Sequence, residues 1–142
     1  MRGNHNRKFT HIVIIGASSG IGEALALHYA QAGTTLSLTG RNEERLMAVA
    51  EKCRARGAQV EAKILDVTDR AGMKSWLERI DDAHPVDLAI ANSGISAGTM
   101  HGEDPAQVRR LFDTNWNGVL NTAEPLLPRM TDRRSGNIAL MS

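Results

Sequence analysis

One cysteine, Cys53, is present, which excludes an internal disulfide and suits a reducing, cytoplasmic setting. No apolar run approaches the roughly 20 residues that a membrane-crossing helix needs. The first ten residues are polar and basic and carry no apolar leader segment. Neither sign of charge prevails. With 17 basic and 16 acidic residues the net charge is +1, so there is no broad electrostatic case for nucleic acid. The histidines, at positions 5, 11, 28, 84 and 101, show no metal-ligand spacing, and no metal site is expected. No GxxxxGKS or GxxxxGKT segment occurs, which excludes a nucleotide-hydrolysing P-loop. Internal repeats, low-complexity stretches and interdomain linkers are also lacking. What remains is a chain of 142 residues, 42% hydrophobic and 23% charged, long enough for one domain with a real core. Its expected organisation is a flexible tail over 1–10 and a folded unit over 11–142.

The stretch from His11 to Gly22 organises the rest. Ile12 to Ile15 form an unbroken β-branched run, which suits a strand buried on both faces of a parallel sheet. Gly16, Gly20 and Gly22 follow at GxxxGxG spacing, with Ile21 between the last two. Glu23 to Ala32 then reads as a helix closed by Gly33. Strand, glycine turn and helix together aim free helix N–H groups and the positive dipole end at a phosphate. Gly16 permits the turn, Gly20 keeps side-chain atoms away from a pyrophosphate, and Gly22 lets helix and strand approach. Ser18 and Ser19 add hydroxyl donors. An ordinary glycine-rich turn would show the same spacing, so this motif does not decide alone.

Further along, Thr35 to Thr39 reads as a second strand. Asn42 is the N-cap of a helix with Glu43 and Glu44 in its first turn, and Leu46, Val49, Ala50 and Cys53 recur at helical spacing until Gly57. Val60, Ala62 and Ile64 alternate in a third strand ending at Asp66 and Val67. Thr68 can cap a third helix, with Met73, Trp76, Leu77 and Ile80 on one face and Pro85 at its end. Val86 to Ala91 is a fourth strand, leading into the loop Asn92 to Gly98. Asp104 and Pro105 start a helix that runs through Leu111, Phe112 and Asn115 towards Met130, with Pro125 and Pro128 expected to bend or shorten its end. Asn137 to Met141 begins a fifth strand. The alternation predicts an α/β fold, a Rossmann-type doubly wound parallel sheet with helices on both faces and strand order 3-2-1-4-5. Trp76 and Trp116 are expected in the core or an interface.

Strand ends in such a sheet border the ligand crevice. About twenty residues past the glycine turn, where an acid would bind a ribose 2′-hydroxyl, stands Arg41, whose guanidinium suits a 2′-phosphate. A solvated surface arginine is the competing reading. Asp66 could accept from an adenine amino group or cap the next helix, a role that Thr68 or Asp69 could also fill. Asn92, Ser93 and Gly94 form a small-residue turn where backbone could lie close to a cofactor ribose.

Together these segments resemble the short-chain dehydrogenase/reductase family, specifically its N-terminal cofactor-binding portion. Gly16 to Gly22 matches its TGxxxGIG motif, with Ile15 in place of threonine. Asp66 and Val67 match the adenine-contacting pair, and Asn92, Ser93 and Gly94 match Asn-Ala-Gly with Ser93 as a departure. Thr114 and Asn115 match the segment of the catalytic asparagine, with Gly118 just after it. Gly136 to Ser142 matches the strand leading to the catalytic serine. The resemblance implies reversible hydride transfer between a nicotinamide, here NADP(H) rather than NAD(H) because of Arg41, and a small alcohol or carbonyl substrate. It also implies self-association of the fourth helix with a partner subunit.

The family's proton-transferring tyrosine and its lysine are missing. Tyr29 is the single tyrosine and position 33, where the lysine would stand, is Gly33. No tyrosine or lysine follows Asn115. The serine is expected one residue past Ser142, with Ser142 itself as the other candidate. The expectation is therefore an inactive cofactor half of an NADP-dependent oxidoreductase, truncated just after the fifth strand begins, whose polypeptide continues to a Tyr-x-x-x-Lys segment. A genuine short form that binds NADP(H) without catalysis is the second reading, and an S-adenosylmethionine-binding domain the third.

Overall fold

The computed structural model describes residues 8–92 and 104–141. Five parallel strands form one sheet in the order β3-β2-β1-β4-β5. They are β1 (His11–Ile15), β2 (Thr35–Gly40), β3 (Gln59–Ile64), β4 (Leu88–Ala91) and β5 (Asn137–Leu140). The chain runs outward from β1 through β2 to β3, then crosses back to β4 beside β1, so the direction of winding reverses between β1 and β4. In register, Ile14 lies between Leu38 and Ile90.

The apolar run of β1 serves two cores because successive side chains point to opposite faces. On one face Ile12 and Ile14 join Leu36, Leu38 and Ala26 with Leu46, Val49 and Cys53 of α2 (Glu43–Ala55). On the other, Val13 and Ile15 meet Met73, Trp76 and Leu77 of α3 (Arg70–Ala83) and Leu126 and Met130 of α5 (Gly118–Asp132). Each buried aliphatic side chain contributes about 1.5–3 kcal/mol. Cys53 is a buried core thiol, as its place on the α2 stripe suggested.

Caps set several boundaries. Asn42 accepts the Arg45 N–H at 2.9 Å and starts α2. Asp104 accepts the Ala106 N–H and starts α4 (Pro105–Phe112). At α3 the cap is Asp69, which takes the Gly72 N–H at 3.0 Å. Thr68 does not cap it, because its N–H and hydroxyl are both bound to Asp66. The first helix, α1, spans Gly20–Tyr29 rather than Glu23 to Ala32. It stops early because the buried Thr34 hydroxyl, within hydrogen-bond distance of the Tyr29 and Gln31 carbonyls, holds a separate turn there. Gly33, with φ +86°, belongs to that turn.

Pro125 and Pro128 do not end α5, which continues to Asp132. Both line an open groove between α3 and α5, where water reaches the carbonyls that a proline nitrogen leaves unbonded. Trp76 is core, but Trp116 is exposed. Of the expected tail, Phe9 packs edge-on against Tyr29, and Thr10 donates its N–H and hydroxyl to Asp87. Among the described residues no helix is long and apolar enough to cross a membrane.

At the end of the sheet away from the glycine turn, His11 is fully enclosed. Its Nδ1 lies 2.6 Å from the His84 carbonyl and its Nε2 2.9 Å from the Ser37 hydroxyl, while its ring stacks on His84. Beside it, Asp81 of α3 accepts from Arg129, Arg133 and the Val86 N–H, tying α3 and α5 to the start of β4.

Candidate functional site

The C-terminal ends of β1 and β2, the start of α1 and the residues after β3 and β4 enclose a cleft of about 320 Å³. It sits at the point where the winding reverses, the usual ligand position in an open α/β sheet. Gly16, with φ +80°, makes the turn, and the N–H groups of Gly16 and Ala17 both bind the Thr39 carbonyl at 2.9 Å. Asn92 donates its side-chain amide to the Gly16 carbonyl at 3.2 Å, so the end of β4 pins the glycine turn. A Cβ on Gly22 would fall 1.9 Å from that same carbonyl oxygen, which shows how closely α1 lies on β1.

Ser19 is the N-cap of α1 in an extended conformation, and its hydroxyl makes no capping bond. The first intrahelical bond runs from Glu23 N–H to the Ser19 carbonyl. The N–H groups of Gly20, Ile21 and Gly22 precede it, the set that a helix start leaves for an anion. Ser18 and Ser19 line the cleft. Ile21 is exposed in the first turn.

On the β2 side the cleft is cationic. Arg41 follows β2, and Arg45 lines the same space one helical turn later. Among the described residues neither guanidinium takes part in an ion pair or hydrogen bond, and no carboxylate lines the cleft. A Cβ on Gly40 would stand a tight 3.1 Å from both Cβ and Oγ of Ser18, so a side chain there would require the Ser18 side chain to give by a few tenths of an ångström. Glycine at that position supplies no acid, the usual partner of a ribose hydroxyl. Arg45 was not singled out from the sequence; its only signal there is the four-residue offset from Arg41.

Asp66 receives the Thr68 N–H at 2.9 Å and the Thr68 hydroxyl at 2.8 Å, both on Oδ1. The Thr68 N–H above all, with the hydroxyl and the Arg41 charge, holds this carboxyl below the usual range against the opposing effect of burial. Its neighbours Leu65 and Val67, rather than Asp66 itself, line the cleft. Asn115 is half-buried in a π-helical turn, Asp113–Asn117, that joins α4 to α5. Such turns recur at functional positions, and the residue pattern carried no sign of this one. Gly94 and Ser93 lie outside the described residues, as does Ser142.

The family model for short chain dehydrogenases matches residues 10–142. The chain belongs to the short-chain dehydrogenase family. Among its relatives in that family, an uncharacterized oxidoreductase of Myxococcus xanthus is 34% identical over 132 residues, covering 92% of this chain and 52% of the relative. A metagenomic short-chain oxidoreductase solved in complex with NADP superposes with a TM-score of 0.82 at 27% identity, over 91% of this chain and 60% of that one. A 3-oxoacyl-acyl-carrier-protein reductase from Brucella melitensis, solved with bound NAD, gives 0.81 at 26% identity, over 91% and 51%. The chain spans about half the length of the curated relatives it matches. These two neighbours hold NADP and NAD respectively, so likeness supports a nicotinamide dinucleotide without choosing between the two forms.

Proposed function

We propose that this chain binds NADP(H) in preference to NAD(H), as the cofactor-holding part of a short-chain oxidoreductase acting on a small carbonyl or alcohol. The observation that carries this reading is the cleft lined by Arg41 and Arg45, with no carboxylate among its described lining residues and glycine, not an acid, at the end of β2. The donor set fits the group. Three open N–H groups at the start of α1, with the Ser18 and Ser19 hydroxyls, suit a pyrophosphate. The two guanidiniums suit a 2′-phosphate. Asp66 and Val67 are assigned to the adenine, Asn92 and Gly94 to the ribose beyond, and Asn115 to the ordering of water.

When bound, the nicotinamide would supply or accept hydride; this chain's residues would orient the dinucleotide and offset the negative charge of its phosphates. A substrate oxygen also needs a proton donor. General acid–base catalysis typically contributes ~10²–10⁴-fold, and Tyr29 sits at the last residue of α1, half-buried against Phe9 and not among the residues that line the cleft. Residues 1–142 taken alone are therefore assigned binding without turnover. A cytoplasmic setting and self-association complete the proposal, the latter resting on Phe112, Trp116 and Leu120, which project apolar groups into solvent at four-residue intervals. Titration calorimetry with NADP⁺ and NAD⁺ tests the reading. Tighter NADP⁺ binding is the expected result; equal affinities, or binding of neither, would overturn it.

A further inference from the structure

Val67 lines the cofactor cleft, yet two contacts from below determine where it stands, and both come from α5. Its carbonyl accepts the Asn121 side-chain amide at 2.9 Å, across 54 positions of sequence. Its isopropyl group rests on Gly118, where an added Cβ would come within 2.9 Å of it. Asn121 is itself buried, 7% exposed, so this amide is a committed donor and not a solvated one. With Leu65, Val67 forms the apolar wall on the same side of the cleft as Arg41, the side that would take the adenosine half of the cofactor. The same helix end is continuous with the π-helical turn that carries Asn115.

We propose that Asn121 is a positioning residue for the adenosine half of the cofactor cleft, acting through the Val67 carbonyl. The inference rests on reading the cleft as an NADP(H) site. Removal of the amide leaves a buried carbonyl without its donor and frees the Asp66–Val67 segment to move away from the cleft, while the hydrogen bonds of the glycine turn stay intact. A side chain that merely satisfied the core would alter stability and leave the affinity of the folded protein unchanged.

The test compares the unaltered chain with Asn121→Leu, close in size but without a donor, and with Thr122→Val. The Thr122 hydroxyl bonds within α5, to the Gly118 carbonyl, so its loss destabilises that helix while the Asn121 amide and its Val67 partner stay in place. NADP⁺ and adenosine 2′,5′-bisphosphate are the probes. Asn121→Leu should weaken both by the same factor, about five-fold, in protein whose circular dichroism is unchanged. Thr122→Val should lower the unfolding midpoint and leave both affinities as they were. Should Asn121→Leu fail to fold, Asn121→Asp decides the matter. Its carboxylate cannot donate near neutral pH, but burial raises its pKa, so acidification restores a donor. Its NADP⁺ affinity, relative to the unaltered chain at the same pH, should recover as pH falls. A folded Asn121→Leu that binds like the unaltered chain, or an Asp ratio that does not change with pH, overturns the inference alone. An unaltered chain that binds neither probe overturns the cofactor reading, and this inference with it.

Discussion

Arg41 and Arg45 share a cleft but not a history in the sequence: one stands where a family signature directs attention, the other only where α2 places it. A charge-assisted hydrogen bond contributes about 1.5–3 kcal/mol, so Arg41→Ala should cost about tenfold or more in NADP⁺ affinity, and Arg45→Ala should also lower it. NAD⁺, lacking the 2′-phosphate, should barely respond to either change. Calorimetry on both variants checks this, and equal losses for the two cofactors would contradict it. His11 makes a prediction about pH. Burial above all holds its imidazole below the ordinary 6.5, outweighing the His84 carbonyl and the nearby charges of Asp87 and Asp81, while His84 pushes in the same direction as burial. The unfolded chain therefore binds a proton that the folded one refuses, and stability falls as pH drops below about 6.5. Urea unfolding at about pH 7.5 and 5.5 should show the lower midpoint in acid, and His11→Leu, though less stable, should flatten that slope. Asp81 responds at lower pH. Burial would raise its carboxyl, but Arg133, Arg129 and the Val86 N–H outweigh it and bring the value down to about 2. Its contribution, about 2 kcal/mol, is present above pH 4 and is lost as pH falls towards 2.

At the scale of the element, two glycines of one motif are glycine for different reasons. Gly20 has φ +57° and open space around it, so a methyl group there meets backbone strain and nothing else. Gly22 has an ordinary helical backbone, but its missing side chain is where the Gly16 carbonyl lies. Gly20→Ala should cost about 1–2 kcal/mol of stability and leave a folded protein. Gly22→Ala should cost more than the 1–3 kcal/mol typical of overpacking, since backbone must move, and should abolish NADP⁺ binding by lifting α1 from β1. Thermal unfolding and calorimetry on both variants separate strain from clash; equal costs would contradict the distinction. The helix from Pro105 to Asp132 carries the opposite lesson. Prolines that end a solvated helix are tolerated within α5 because the groove beside α3 is open to water.

For the whole molecule, Phe112 and Trp116 carry the largest consequence, being 66% and 64% exposed. Contiguous apolar surface of this kind promotes association. The chain should sediment as a dimer or larger species, and Trp116→Glu should shift it towards monomer while sparing NADP⁺ binding. A compact monomer at high concentration would count against this. Hydride transfer is the other test at this scale. With NADPH and a panel of small carbonyls, residues 1–142 should show no useful turnover, because no residue in the described part of the cleft serves as a proton donor of suitable pKa.

Sequence by itself determined the class of the fold and pointed to the cleft at the strand ends where the candidate site lies. A β-branched run, a glycine turn and regular alternation of strands and helices admit few topologies, and right-handed crossovers leave fewer. The observed order β3-β2-β1-β4-β5 is the one expected, and the caps at Asn42 and Asp104 were readable because capping is local chemistry. Arg41, Asn92 and the glycines were legible for the same reason: each sits in a short motif. What only the tertiary structure decided are relations between distant segments. Arg45 joins Arg41 because α2 starts where it does. Asp66 turns to Thr68, leaving the cap to Asp69. Asn121 reaches Val67 across 54 positions, and Ser18 stands close against Gly40, because packing brings together atoms that no spacing in the chain relates.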